Sequence, residues 1–84
     1  MIHPILYLEI VTPEKVIFRQ NVLSVNLPGV MGRFTILKQH APLIAALKEG
    51  EIRVLGQFSD DVVFACKSGV VECLENKVTV LIEE

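Results

Sequence analysis

His40 has the clearest capacity for chemistry in this chain of 84 residues, because an imidazole can act as a general base or as a metal ligand near neutral pH. A metal site needs several converging ligands, and the other histidine, His3, lies far away in the sequence. No nucleophile, base and orienting group can be assembled around His40. The sequence therefore predicts an interface or surface histidine, with no catalytic residue, no metal site and no cofactor.

The segment Gly29-Val30-Met31-Gly32 could be taken for a ligand-binding loop. Its glycine spacing is wrong for a phosphate-binding loop. It fits the Gly-x-x-Gly pattern of an RNA-clamping loop, but that loop joins two helices and this segment has no basic cluster beside it. We interpret it as a glycine turn between strands. The adjacent acids Asp60 and Asp61 are interpreted as solvated charges.

Two cysteines, Cys66 and Cys73, have neither a zinc-binding spacing nor the density of a disulfide scaffold. A hairpin at Ser68-Gly69 could bring them together, whereas one long strand would keep them apart. In both cases we expect reduced core residues.

Charge and composition narrow the function further. Eight basic and ten acidic residues are interspersed, which gives no positive field for nucleic-acid binding. Apolar residues make up 51% of the chain, more than so small a core can hide, and this surplus suggests a protein partner. No segment has the length of a membrane span or the features of a signal peptide. We expect one cytoplasmic domain over residues 1–84 that does not insert into lipid.

Short runs rich in Val and Ile recur between turn signals, which predicts at least eight strands in a sandwich or barrel. The alternation from Val22 to Leu27 places Leu23, Val25 and Leu27 on one buried face. Leu43–Leu47 and Ile52–Leu55 are predicted to form a hairpin; a helix over residues 43–55 is the alternative, which Gly50 disfavours. Pro42 keeps Ala41 extended and so holds His40 on a stiff corner. The predicted structural turn residues are Gly29, Gly32, Pro42, Gly50 and Gly69.

The central part of the chain resembles the epsilon subunit of F-type ATP synthase. The pattern is Gly29-x-x-Gly32-x-Phe34-x-Ile36-Leu37-x-x-His40-Ala41-Pro42-Leu43, followed by Leu47-x-x-Gly50-x-Ile52-Arg53. It is in register without a gap, and weaker similarity extends over nearly the whole chain, including Leu8 to Phe18 and Val78-Thr79-Val80-Leu81.

The resemblance implies a flattened β-sandwich of about ten strands, and residues 1–84 would form a single epsilon-type domain. It implies a non-catalytic central-stalk subunit that links gamma to the c-ring and couples proton-driven rotation to ATP synthesis, with the alpha/beta head as an indirect partner. The subunit would be peripheral, at the cytoplasmic face of a bacterial inner membrane. Because the sequence ends with its last strand, we expect none of the inhibitory helical hairpin of longer relatives.

The resemblance also implies interface residues. The expected gamma patch comprises Ile17, Val22, Ala41, Ile44, Val63 and Val80, with Thr12 and His40 at its margin. The turn between the two glycines would face the c-ring, which makes Val30, Met31 and Arg33 candidates there. Many relatives carry an acid at the position of Arg33 and Pro-Gly at the positions of Lys38 and Gln39.

The alternative function is a small β-barrel that binds a ligand or an oligonucleotide. Such a module needs exposed aromatic side chains on which bases or sugars stack. Tyr7 and four phenylalanines are a poor supply, because most of them fall in strand centres. A third reading, a small hydrolase, lacks a set of converging polar groups.

Overall fold

A computed structural model describes residues 5–57 and 61–84, and these residues fold as strands and turns without a helix. This confirms the predicted all-β class. The strands are β1 (Leu6–Val11), β2 (Val16–Gly29), β3 (Gly32–Leu37), β4 (Leu43–Leu47), β5 (Gly50–Gly56), β6 (Val62–Cys66), β7 (Ser68–Leu74) and β8 (Lys77–Glu83). The described residues thus form eight strands where the resemblance implied about ten. One reason is that β2 is long, since the alternating segment Val22 to Leu27 is only the second half of one continuous strand.

The strands form two layers that share β2. The first half of β2 pairs with β1, which is parallel to β8; β8 then pairs with β7, and β7 with β4. We call this set the five-strand layer. The second half of β2 pairs with β3 on one side and with β5 on the other, and β5 pairs with β6. This set is the four-strand layer.

Buried residues from both layers form one core cluster. Along β1 and β8, buried and more exposed residues alternate, as expected for strands with one face against a core. The two layers therefore face each other as a β-sandwich. The cluster comprises Leu6, Leu8, Ile10, Val22, Val25, Leu27, Ile36, Leu47, Ile52, Val54, Cys66, Val71, Cys73, Val78, Val80 and Ile82.

The predicted inward face of β2 is wrong at Leu23, which is 49% exposed, whereas Val22 is 3% exposed. The cause is a β-bulge. In the pairing of β2 with β5, Val22 lies opposite Gly56 and Ser24 lies opposite Leu55, so Leu23 is an extra residue. An extra residue shifts the alternation by one position. Val22 and Val25 can therefore both point into the core although they are three residues apart.

The predicted hairpin of Leu43–Leu47 with Ile52–Leu55 is also wrong. β4 pairs with β7 in the five-strand layer, and β5 pairs with β2 and β6 in the four-strand layer. The short connection through Lys48 and Glu49 thus carries the chain from one layer to the other. The connection between β6 and β7 also passes from one layer to the other, so β6 and β7 form no hairpin at Ser68-Gly69.

The predicted turn glycines take different positions. Gly32 ends the turn between β2 and β3 with a φ of +125°, a conformation that favours glycine. Gly69 lies within β7, opposite Ile82, so its prediction as a turn residue is wrong. A Cβ on Gly69 would lie 2.5 Å from the carbonyl oxygen of Leu81, which explains why a side chain is excluded there.

Substitution of neighbouring residues in β8 should separate core from surface. Val80 is fully buried and Leu81 is 46% exposed. Val80→Glu would bury an unpaired charge, and we expect it to cost at least about 4 kcal/mol, enough to unfold a small domain. Leu81→Glu should change the free energy of unfolding by less than about 1 kcal/mol. Urea denaturation followed by circular dichroism measures both, and a folded Val80→Glu protein would contradict the core assignment.

Candidate functional site: an apolar strip on the five-strand layer

Two members of the predicted gamma patch do not reach the surface. Val22 and Val80 belong to the core cluster, with exposed fractions of 3% and 0%. The prediction of both as interface residues is wrong, because the alternation of side chains along β2 and β8 points Val22 and Val80 between the layers. Neither side chain can contact a partner while the domain stays folded.

Two further members lie on opposite outer faces. Ile44 in β4 is exposed and lies opposite Glu72 on the five-strand layer. Val63 in β6 is exposed and lies opposite Arg53 on the four-strand layer. Directly opposed residues of antiparallel strands share a face, so Ile44 and Val63 point away from each other. The predicted patch is not one continuous surface.

Thr12 and Ile17 have structural contacts. The Thr12 hydroxyl accepts hydrogen bonds from the backbone N–H groups of Glu14 at 3.3 Å and Lys15 at 3.2 Å, which closes the turn between β1 and β2. Ile17 is the extra residue where the pairing of β1 with β2 shifts register, and it packs against the core cluster. Both residues therefore stabilise the end of β1.

A different set of apolar residues forms a row across the outer face of the five-strand layer. Val16 lies opposite Val11, Val11 opposite Leu81, Leu81 opposite Val70, and Val70 opposite Ala46. Val16, Leu81 and Val70 are 45–46% exposed. At about 4.8 Å per strand the row is about 19 Å long. We call these five residues the apolar strip.

Sequence reasoning missed the apolar strip. Val11, Val70 and Leu81 all occupy outward positions in the alternation of their strands, and this was a usable signal. Their meeting in one row depends on the register of β1, β8, β7 and β4, which single-strand patterns do not contain. Ile44 lies two residues from Ala46 on the same face and extends the strip.

The His40 corner is held by a hydrogen bond from a distant turn. The backbone N–H of Gln39 donates to Asn76 Oδ1, in the turn between β7 and β8. Gln39 has a φ of +63°, a left-handed conformation that costs a residue with a side chain about 1–2 kcal/mol. The backbone N–H of His40 donates to the Leu37 carbonyl at 3.2 Å, and its Nδ1 lies 2.7 Å from the Ala41 carbonyl oxygen. The predicted corner is thus fixed by local backbone bonds and by Asn76.

The side chains of the three predicted c-ring residues do not lie on one surface. Val30 and Met31 form the tip of the turn between β2 and β3, and both are exposed. Arg33 is the second residue of β3, and its Nε donates to Asn26 Oδ1 at 2.8 Å and its Nη2 to the Glu51 carbonyl at 2.5 Å. Its guanidinium therefore lies over the four-strand layer and away from the tip.

Other candidate chemistry finds little support in the described residues. They contain no group of three or more His, Cys, Asp and Glu side chains that could hold a metal ion. Within residues 5–57 and 61–84, no helix has the length and apolarity to cross a membrane. His3 and Asp60 lie outside the described residues. Cys66 and Cys73 are buried and free, as predicted.

Comparison with known proteins identifies the family. The family described as "ATP synthase, Delta/Epsilon chain, beta-sandwich domain" matches residues 5–84. This chain belongs to that ATP synthase delta/epsilon family. The predicted family and the predicted β-sandwich are both confirmed.

Relatives of the delta/epsilon chain differ in length. The ATP synthase epsilon chain of Chlorobaculum tepidum is 46% identical over 78 residues, which cover 92% of this chain and 88% of that protein. The epsilon chain of Magnetococcus marinus is 41% identical over 76 residues, covering 90% of this chain but 55% of that protein. This chain therefore spans most of one relative and about half of the other.

Solved structures share the fold of this delta/epsilon chain. One chain in the cryo-EM structure of the Euglena gracilis mitochondrial ATP synthase superposes with a TM-score of 0.90 at 15% identity, covering 100% of this chain and 54% of that chain. A chain from the central stalk and c-ring of the Tetrahymena thermophila mitochondrial ATP synthase gives a TM-score of 0.76 at 15% identity, covering 94% of this chain and 63% of that chain.

Replacing Gln39 with glycine should stabilise the His40 corner. Gln39→Gly relieves the left-handed strain, partly offset by the greater freedom of glycine in the unfolded chain, and we expect a gain of about 0.5–1 kcal/mol. Thermal unfolding should then shift upward by roughly 2–8 °C. Lys38→Gly is the matched control, since Lys38 is not among the residues with positive φ, and it should lower the melting temperature. A lower melting temperature for Gln39→Gly would contradict the strain argument.

Both cysteines should be unreactive in the native protein. Burial raises the pKa of the Cys66 thiol, with partial opposition from a backbone hydrogen bond at Gly50 and the charge of Arg33, and burial also raises the pKa of Cys73. The thiolate is the nucleophile, so a raised pKa lowers its population near pH 8. Labelling with a chromogenic disulfide reagent should be at least roughly 100-fold slower in the native state than in guanidinium chloride. Equal rates would contradict the burial of these thiols.

Proposed function

We propose that this chain is a non-catalytic central-stalk subunit of an F-type ATP synthase, acting as one epsilon-type domain over residues 1–84. It joins gamma to the c-ring and transmits proton-driven rotation towards the alpha/beta head, which it contacts only through gamma. It is peripheral to the membrane sector, at the cytoplasmic face of a bacterial inner membrane. Membership of the delta/epsilon family supports the assignment to an ATP synthase. The apolar strip supports docking on a partner through the five-strand layer.

The apolar strip is the observation that carries the proposal. Its five residues make a continuous apolar row across the outer face of the five-strand layer, and apolar patches of this kind usually mark protein interfaces. Glu83 lies beyond the row at one end of β8, and Glu72 and Thr79 lie on its other side. An apolar centre with a polar rim is the usual anatomy of a protein interface. We assign this face to gamma.

The remaining predicted gamma residues fit this assignment in part. Ile44 extends the strip along β4, and Ala41 is an exposed residue shortly before β4. Thr12 directly follows Val11 of the strip, although its hydroxyl is used within the β1–β2 turn. His40, half-buried, is held at the corner before β4. We propose that these residues border the gamma contact and that Val63, on the opposite layer, does not.

A stacking platform for nucleotides or sugars is disfavoured. Phe18 and Phe64 pack against each other edge to face, with ring centroids 5.2 Å apart, and both contact the core cluster together with Phe34. Tyr7 is half-buried on β1. Phe18, Phe34 and Phe64 are thus partly buried, which limits their use as stacking platforms. Phe58 lies outside the described residues.

Gamma binding tests the proposal directly. Leu81→Glu places a charge in the centre of the apolar strip, where docking would remove it from water, and we expect at least about tenfold weaker binding to purified gamma. Val63→Glu is the matched control, because it changes an exposed apolar residue on the opposite layer. It should alter the affinity by less than about twofold. Isothermal titration calorimetry measures both, with thermal unfolding to show that each variant is folded.

The reverse result would assign the gamma interface to the other layer. If Val63→Glu weakens binding and Leu81→Glu does not, gamma docks on the four-strand layer. If the unmodified chain shows no affinity for gamma, the central-stalk proposal is wrong.

A further inference from the structure

β6 forms an open edge of the four-strand layer. In the part of the chain that the structure describes, it pairs with β5 alone, and that pairing contains no bulge. The edge strands of soluble proteins usually carry a charge, a proline or a bulge that prevents pairing with another chain. β6 has the sequence VVFAC, which contains no charge and no proline. The backbone N–H and C=O groups on its outer side can therefore pair with a further strand.

β3 forms the other open edge of this layer, and it is less suited to pairing with a second copy. Among the described residues it pairs with β2 alone. Arg33 lies within β3, and Lys38 follows its last residue. Both charged residues along this edge are basic, so two copies of β3 would repel each other. Pairing between copies is thus favoured at β6.

The residues that flank β6 make this edge complementary to a second copy of itself. Asp61 directly precedes the strand, Lys67 directly follows it, and both are exposed. In an antiparallel pair centred on Phe64, Asp61 of each copy lies opposite Lys67 of the other copy. Opposite charges in directly opposed positions stabilise an antiparallel pair. A parallel pair would instead bring like charges together at both ends.

The apolar side chains of the two strands would also meet on matching faces. Val63 and Ala65 are exposed on the outer face of the four-strand layer. In the antiparallel pair, Val63 of each copy lies opposite Ala65 of the other, so this face gains apolar contact. Phe64 alternates to the inner side, where it packs against Phe18. There it would lie beside Phe64 of the second copy.

We propose that β6 is a self-association edge, through which two copies of this chain pair antiparallel over residues 61–67 and join their four-strand layers into one continuous sheet. The contact involves the five residues of β6 and one flanking residue at each end, whereas stable interfaces take about 20–30 residues a side. The dimer is therefore weak and forms only when the chain is concentrated. It leaves the apolar strip on the other layer uncovered, so the inference does not depend on the proposed function.

Sedimentation equilibrium of the chain at low salt tests the inference. The average mass should rise from 9.4 kDa at about 10 µM towards twice that value at about 1 mM, the range expected for a small interface. Asp61→Lys and Lys67→Asp should each weaken self-association at least about fivefold, because like charges then face each other at both ends. Lys77→Asp is the matched control. It makes the same change of net charge at an exposed residue of β8, and it should alter self-association by less than about twofold.

Mixing the two charge-reversed variants tests the register. One copy then brings two lysines to the pair and the other brings two aspartates, so opposite charges face each other again at both ends. An equimolar mixture of Asp61→Lys and Lys67→Asp should therefore associate about as tightly as the unmodified chain. The double variant that carries both changes should likewise associate with itself. Thermal unfolding shows that each variant is folded.

Three results would overturn the inference. The first is a chain that stays monomeric up to about 1 mM. The second is self-association that Asp61→Lys leaves unchanged, which would place the contact on another surface, such as the apolar strip. The third is a mixture of the two variants that does not associate. Leu81→Glu changes the apolar strip and should leave self-association through β6 unchanged. None of these results bears on gamma binding, which calorimetry measures separately.

Discussion

Both layers depend on β2, a single strand of 14 residues that belongs to each of them in turn. Its first half pairs with β1, and its second half pairs with β3 and β5. Side chains of a strand alternate strictly, so a slip of one residue exchanges the buried and exposed sets. The extra residue Leu23 makes that exchange at the point where β2 passes from one layer to the other. Val22 and Val25 then both face one core, and the sandwich can close around them.

The two outer faces differ in how readily they can lose water. On the four-strand layer, Asn26, Thr35 and Arg33 form cross-strand hydrogen bonds, and Arg53 pairs with Glu51. Exposed polar and charged side chains such as these are also hydrated, and covering them with another protein carries a desolvation cost. The apolar strip has no polar side chain along its row and gains from the same loss of water. The two faces therefore differ in the polarity of these rows, although Leu55 and Val63 are also exposed on the four-strand layer.

Local sequence patterns predicted the parts of this fold that depend on local chemistry. The glycine turn at Gly29–Gly32 and the two reduced cysteines are set by residues near them in the chain or by simple burial. The corner at His40 follows only in part from the nearby Pro42, because Asn76 of a distant turn also holds it. Local patterns could not predict which side chains of β2 face the core, because the bulge at Leu23 appears only through pairing with β5. The connection after Leu47 looks like a hairpin turn in sequence but joins the two layers, and the choice depends on the pairing of β4 with β7. The binding surface was hardest to predict, since its residues come from β1, β2, β4, β7 and β8 and meet only through their register.

The tip and the apolar strip are connected through backbone hydrogen bonds, which suits the proposed role of the domain in transmitting rotation. The backbone N–H of Val30 donates to the Ala46 carbonyl, and that of Lys48 donates to the Pro28 carbonyl, both at 2.9 Å. Gly29 and Leu47 lie opposite each other between these two bonds, and Leu47 is part of the core. A force applied at Met31 therefore passes to β4 through backbone bonds, and from β4 into the layer that carries the strip. A tip on a long free loop would bend under the same force, whereas this turn is anchored where the two layers meet.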